Sequence, residues 1–193
     1  ESLKDIAPAQ WNALTHNNPT LSYVWLHALH ESGSACADTG WLPQYLTIHD
    51  GDTLVGAMPL YMKGHSYGEY VFDWAWADAY VRTGREYYPK LLSAVPFTPC
   101  TGARALAASP EIEVLLIEAA LQIAKQSKVS SLHILFAPDA QQAKFVNAGM
   151  LSRTAVQFHW RNADYANFDA LLATFSKDKR KKIKQERRKV ADA

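Results

Sequence analysis

Two alternating runs of residues meet at an Asp-Gly-Asp turn, and this feature restricts the fold more than any other. Leu42, Leu46 and Ile48 alternate with Tyr45, Thr47 and His49; after Asp50-Gly51-Asp52 the chain returns with Leu54, Met58 and Leu60 on one face. A period of two sends successive side chains to opposite faces of a sheet, and a glycine between two aspartates favours a tight reversal. The pattern predicts adjacent antiparallel strands over 42–49 and 53–61.

Helices and further strands surround this hairpin. Residues 8–15 and 22–32 read as short helices, the second stopped by Gly33. Residues 68–72 read as a short strand. Asp73 caps a helix reaching about Thr83, and Leu91 to Val95 forms another strand. Ser109-Pro110 opens a helix with Glu111 and Glu113 in its first turn and an apolar stripe of Ile112, Leu116, Ala119, Ala120 and Ile123. Leu132, Ile134 and Phe136 alternate as a strand. Asp139 and Gln142 have capping-box spacing for a short helix that ends at Gly149. Leu151 to Trp160 reads as a last strand, Phe168 to Leu172 as a short helix, and Ser176 caps a helix to about Ala191. This order predicts an α/β (α+β) fold: one mixed sheet of five to seven strands, flanked by helices.

Composition matters chiefly through charge. Residues 177–193 hold nine Lys or Arg against three Asp or Glu, while residues 1–176 hold eleven against sixteen. A mildly acidic body therefore carries a strongly basic terminal helix. Cys36 and Cys100 are too few for a disulfide framework and match no metal spacing, so two reduced thiols are expected. His27 and His30, three apart on a helix, lack a third ligand in the sequence, so no metal is expected. No apolar run is long enough to span a bilayer, and Glu1 to Pro8 carry no signal-peptide pattern.

Two segments resemble acyltransferases of the N-acetyltransferase (GNAT) superfamily: the hairpin from Gln44 to Gly56, and the run Leu132–Phe136 followed by Gln142–Met150, a strand and a helix that closes on Gly149. Two more resemble Fem-like proteins. Phe175–Arg188 is similar to the Ser-then-basic helix opening the second half of those proteins, and Gly68–Tyr80 is similar to a bacterial branch associated with peptidoglycan biosynthesis or recognition. The resemblance implies a GNAT-like mixed, mostly antiparallel sheet over residues 1–175, the first half of a tandem. A basic helix over 176–193 would then open a second domain. It further implies a transferase that moves an acyl or aminoacyl group onto an acceptor amine, with a peptidoglycan precursor as acceptor and acyl-CoA or aminoacyl-tRNA as donor of the full-length protein. The expected location is cytoplasmic.

An acyl-CoA site needs free backbone N–H groups aimed at a pyrophosphate. The corresponding stretch, Val95 to Arg104, contains Pro96 and Pro99 and a single glycine, Gly102. Each proline removes a donor. No cofactor is therefore expected in this half, although Arg104 could pair a phosphate.

The 73–83 helix carries the leading candidates. Asp73, Trp76 and Tyr80 share one face, and Trp74, Ala77 and Val81 share another that is expected to be core. Asp73, Trp76, Asp78 and Tyr80, with Tyr88 and Lys90 just downstream, are the expected acceptor-binding residues; Lys90 could hold a phosphate or carboxylate. His159, on the expected last strand, and Asp73 are candidate bases, His having a suitable unperturbed pKa. Lys179, Arg180, Lys181 and Lys182 are expected to meet an anionic partner, tRNA or a phosphorylated lipid precursor. The rival expectation is a non-catalytic module that binds cell-wall or peptide ligands.

Overall fold

The computed structural model describes residues 2–192. It is a mixed, mostly antiparallel α+β fold whose chain forms two compact units, Glu1–Thr154 and Ala155–Ala193.

In the first unit, helices α1 (Pro8–Leu14) and α2 (Tyr23–Glu31) precede four strands: β1 (Trp41–Pro43), β2 (Leu46–Asp50), β3 (Thr53–Met58) and β4 (Tyr61–Lys63). Next come helix α3 (Trp74–Arg82), strands β5 (Lys90–Ser93) and β6 (Leu106–Ala107), helix α4 (Pro110–Gln126), strand β7 (Leu132–Ile134) and helix α5 (Asp139–Asn147). The expected single sheet is two: β1-β4-β5-β7 and β2-β3-β6. All pairings are antiparallel except β5 with β7.

The expected hairpin is present but divided. β2 pairs with β3 in one sheet, and the same two chain segments continue as β1 paired with β4 in the other. Pro43 and Pro59 stand at the break, where a residue without an N–H cannot continue a ladder. The Gln44 N–H still donates to Leu60 O at 2.7 Å, so the ribbon is creased rather than severed.

Helices cover both faces. Trp11, Leu14, Leu21 and Leu26 pack with Trp41, Tyr45, Leu54, Tyr61 and Leu92 in one core. Leu116, Ile117 and Ala120 of α4 and Phe145 of α5 pack with Met58, Leu60 and Leu91 in the other. The stripe read from the sequence is the face that α4 buries. It lies so close to β3 that a Cβ on Gly56 would meet Ile112 Cγ2 at 2.6 Å. Ser109 Oγ accepts from Ile112 N as the expected cap.

Several expectations are corrected. Residues 68–72 are loop, because Gly68 (φ +79°) and Tyr70 (φ +60°) take left-handed backbone that a strand excludes. The capping box at α5 does not form; Pro138 precedes the helix, and Gln142 instead donates to Ser152 Oγ at 2.7 Å. The alternating residues 151–160 have no partner strand among the described residues, and Val156 and Phe158 are almost wholly exposed. Alternation fits a strand but cannot supply the neighbour that hydrogen-bonds it. The second unit contains α6 (Phe168–Ala173) and α7 (Lys177–Ala191), with Asn167 and Ser176 as side-chain caps. Among the described residues, no helix is long and apolar enough to cross a membrane.

Candidate functional site

Register places a charged cluster on one face of the four-stranded sheet. Lys63 of β4 stands opposite Lys90 of β5, and Leu92 stands opposite His133 of β7. With a side-chain period of two, Lys63, Lys90 and His133 share a face. The loop before α3 folds over it with Glu69 and Asp73. Lys90 is fully enclosed: its ammonium donates to Glu69 Oε2 at 2.8 Å and to Asp73 Oδ2. Asp73 is also fully enclosed and, though it precedes α3, makes no side-chain cap hydrogen bond; its carboxylate is turned inward to Lys90.

The Asp73 carboxylate organises three more groups. His133 Nδ1 lies 3.6 Å from Oδ2, and Arg153 Nη1 lies 3.4 Å from Oδ1. On the other side of the imidazole, Nε2 lies 3.3 Å from the Tyr87 hydroxyl. A carboxylate beside Nδ1 favours the tautomer protonated there, which leaves Nε2 to accept from Tyr87. Carboxylate, imidazole and hydroxyl thus stand in series, and the Tyr87 hydroxyl also reaches the Asp73 carboxylate directly.

Electrostatics sharpen the roles. Burial and the Lys90 charge push His133 down to about 4, against the pull of Asp73, so the ring is neutral at neutral pH. Burial alone would raise Asp73; the Lys90 hydrogen bond and charge, aided by His133 and Tyr87, more than reverse that and hold it below its ordinary value. Glu69 is raised, chiefly by burial, despite Lys90 and Lys63. Burial also pushes Lys63 down to about 7, with Glu69 opposing and Lys90 adding to the fall. The Lys63 Nζ packs 3.5 Å from the centroid of the Trp41 ring and donates to Tyr67 O at 3.2 Å.

The structure brings some of the expected residues together. Lys90 does hold carboxylates, but they are those of Glu69 and Asp73, and it has no exposed surface for a ligand. Tyr88 lies beside it, its ring centroid 6.0 Å from Nζ. Tyr80 meets Tyr87 edge-on at 5.1 Å. Trp76 is 52% exposed with the Arg153 guanidinium 5.7 Å from its ring centroid, and Asp78 is an exposed partner of Arg82. No residue of α3 is buried, so the Trp74, Ala77 and Val81 face is not core as expected; Trp74 and Val81 are exposed. His159 belongs to the second unit. Its ring is exposed 3.1 Å from Gln157 Oε1, on a segment that forms no strand.

His30 faces the Tyr45 and Tyr61 hydroxyls, and His27 stacks on Tyr23. Cys36 and Cys100 are both free thiols. Among the described residues, no cluster of His, Cys, Asp and Glu could hold a metal. The Arg104 guanidinium is buried and spent on carbonyls. It donates from Nε to Leu135 O, from Nη1 to Gly102 O and Ala103 O, and from Nη2 to Cys100 O. Burial pushes it down to about 10. It is a core that the 100–104 loop wraps, not the free phosphate partner its sequence position suggested.

In the second unit, Lys179, Lys181 and Lys182 are exposed, while Arg180 is half-buried and donates to Phe175 O at 3.2 Å. Arg187 lies 4.2 Å over the Phe168 ring and Lys184 pairs with Asp169 at 3.1 Å, so α7 is fastened to α6 by its cations.

His133, Tyr87, Glu69 and Arg153 are the site residues that sequence reasoning missed. Tyr87 adjoins Tyr88, Glu69 lies four residues before Asp73, and the polar His133 stands between Leu132 and Ile134, so each left a local signal; Arg153 becomes a neighbour only through the fold.

No curated protein and no solved structure gives a significant match to this chain. One family does match, described as peptidoglycan biosynthesis/recognition, over residues 2–193. The chain belongs to this FemAB-like family.

Proposed function

We propose that this protein is a GNAT-type acyl- or aminoacyl-transferase of a bacterial cytoplasm, that its acceptor is an amine of a peptidoglycan precursor, and that this chain forms the acceptor side of the site. The observation that carries the reading is the series Asp73–His133–Tyr87: a neutral imidazole between a carboxylate and a hydroxyl, next to Trp76 and Arg153 at the surface. The acceptor amine attacks the donor's ester or thioester carbonyl. A C–N bond forms, the C–O or C–S bond breaks, and the proton of the amine passes through the Tyr87 hydroxyl to His133 Nε2 and then to the leaving oxygen or sulfur. Asp73 stabilises the imidazolium in between. Arg153 and Trp76 offer a cation and a ring to the carboxylates and amides of a peptide stem.

The donor, acyl-CoA or aminoacyl-tRNA, belongs to the full-length protein in this reading. The Val95–Arg104 stretch supports that division, since two prolines and the committed Arg104 leave little to hold a pyrophosphate. The exposed cations of α7 suit tRNA or a phosphorylated lipid precursor. The enclosure of Tyr87 and Lys90 favours the second reading, a binding module without chemistry.

Transfer by the full-length protein to a disaccharide-pentapeptide amine, followed by mass spectrometry, separates the two. His133→Gln should lower kcat by about 10²–10⁴-fold with little change in KM. Trp76→Ala should raise KM while leaving the unfolding midpoint nearly unchanged. Undiminished turnover in His133→Gln rules out the proposed base, and the absence of any transfer leaves the binding module.

A further inference from the structure

Large aromatic side chains crowd the surface between the hairpin and α3. Tyr67 is 62% exposed, Phe72 49% and Trp74 58%, with Tyr70 also in solvent. The Phe72 and Trp74 rings stack at 4.7 Å between centroids and 23° between planes, and Tyr67 stands 6.5 Å from Trp74 at 60°. Exposed aromatic surface of this extent calls for an occupant.

We propose that Tyr67, Phe72 and Trp74 form a subsite for the sugar of the acceptor, taking the flat face of an N-acetylated hexosamine ring. This deepens the acceptor reading above and rests on it. The face of an aromatic ring carries partial negative charge, and the axial C–H bonds of a pyranose present partial positive charge over a surface of similar size. The patch is built of aromatic rings rather than aliphatic chains, as that pairing requires. Its charge argues against a bilayer. Residues 64–76 contain no Lys or Arg, whereas membrane-seated apolar patches are ringed by cations.

The patch is also held rigid from behind, so binding a ligand orders little that is loose. Tyr67 O accepts from the buried Lys63 ammonium at 3.2 Å, and Tyr67 N donates to His65 Nδ1 at 3.2 Å. Gly68 O accepts from Phe97 N at 3.1 Å. A Cβ on Gly68 would meet the Phe97 ring at 2.6 Å, so that close approach needs glycine. Phe72 and Trp74 also bracket Asp73, whose carboxylate turns inward to Lys90 and His133. A sugar seated on the ring pair therefore lies against the segment that carries the reactive series, and its peptide stem starts beside Trp76 and Arg153.

Calorimetry of the chain with N-acetylglucosaminyl-N-acetylmuramoyl-pentapeptide and with the free pentapeptide tests the subsite. The disaccharide form should bind more tightly by about tenfold or more, as for loss of a central aromatic anchor. Trp74→Ala and Phe72→Ala should erase that advantage, and Trp74→Tyr should keep most of it. Denaturation midpoints should stay level across the set, since these side chains are exposed. Equal affinity for the two ligands, no binding of either, or an advantage that survives Trp74→Ala overturns the proposal. So does a patch that instead binds phosphatidylglycerol vesicles, or drives dimerisation that Trp74→Ala abolishes. The two readings fail separately. Transfer to the free pentapeptide with no gain from sugar leaves the transferase and removes the subsite. Trp74-dependent disaccharide binding with no transfer to any amine leaves the subsite and removes the transferase.

Discussion

Lys90 shows how much one side chain carries here. Its ammonium sits between two carboxylates in a site closed to water, where an unpaired charge is expensive. Lys90→Met strands Glu69 and Asp73 and should cost about 3–5 kcal/mol in urea unfolding. Adding Glu69→Gln and Asp73→Asn to that variant should recover most of the loss; no recovery would mean that Lys90 acts through its stem packing. His133 sets the acid limit. Its folded pKa, about 4, lies below the unfolded value of 6.5, so as pH falls between them the unfolded chain binds a proton that the folded one refuses. Stability present above pH 6.5 should decline by about 3 kcal/mol toward pH 4. Asp73, also depressed, adds to the decline at lower pH, while Glu69, raised, opposes it. Urea stability of His133→Gln measured across this range should lack most of the slope; an unchanged slope would assign it to other groups.

Among the elements, those with local causes were legible in the sequence. The turn at Gly51, the Ser109-Pro110 start of α4 and the Ser176 cap of α7 each rest on a few adjacent residues, and each stands where expected. Elements that depend on a distant neighbour were not. The 151–160 run has the alternation of a strand and no ladder, and α3 has two candidate faces and buries neither. The site divides in the same way. Asp73, Trp76, Tyr80, Tyr88 and Lys90 lie close in sequence and were read together, whereas His133 joins them only when the sheet fixes its register and Arg153 only when the chain after α5 returns to Asp73. For α7 the cations have two duties. Arg180, Lys184 and Arg187 fasten it to its own unit; Lys179, Lys181 and Lys182 project into solvent. Replacing Lys179, Lys181 and Lys182 with Gln should reduce the salt dependence of RNA binding by about three phosphate contacts while helicity by circular dichroism stays level. An unchanged slope removes the polyanion from the proposal.

At the scale of the molecule, the stretch expected to face a coenzyme is engaged with its own chain. The loop where a pyrophosphate would lie is wound around Arg104, which gives its donors to Leu135, Gly102, Ala103 and Cys100. Calorimetry of the chain with acetyl-CoA should therefore show binding weaker than about 1 mM, less than about 4 kcal/mol of association free energy; micromolar binding would show that the prolines and Arg104 leave a usable cradle after all.

The creased ribbon at Pro43 and Pro59 has a further consequence. Because one pair of chain segments supplies neighbouring strands to both sheets, neither sheet can slide by a residue without dragging the other, since a slip by one would turn every side chain to the wrong face. The ribbon works as a shared axle. The register that sets Lys63 opposite Lys90 is therefore fixed together with the one that sets Gly56 beneath the α4 ridge, so a single choice of alignment assembles the charged cluster and seats the helix.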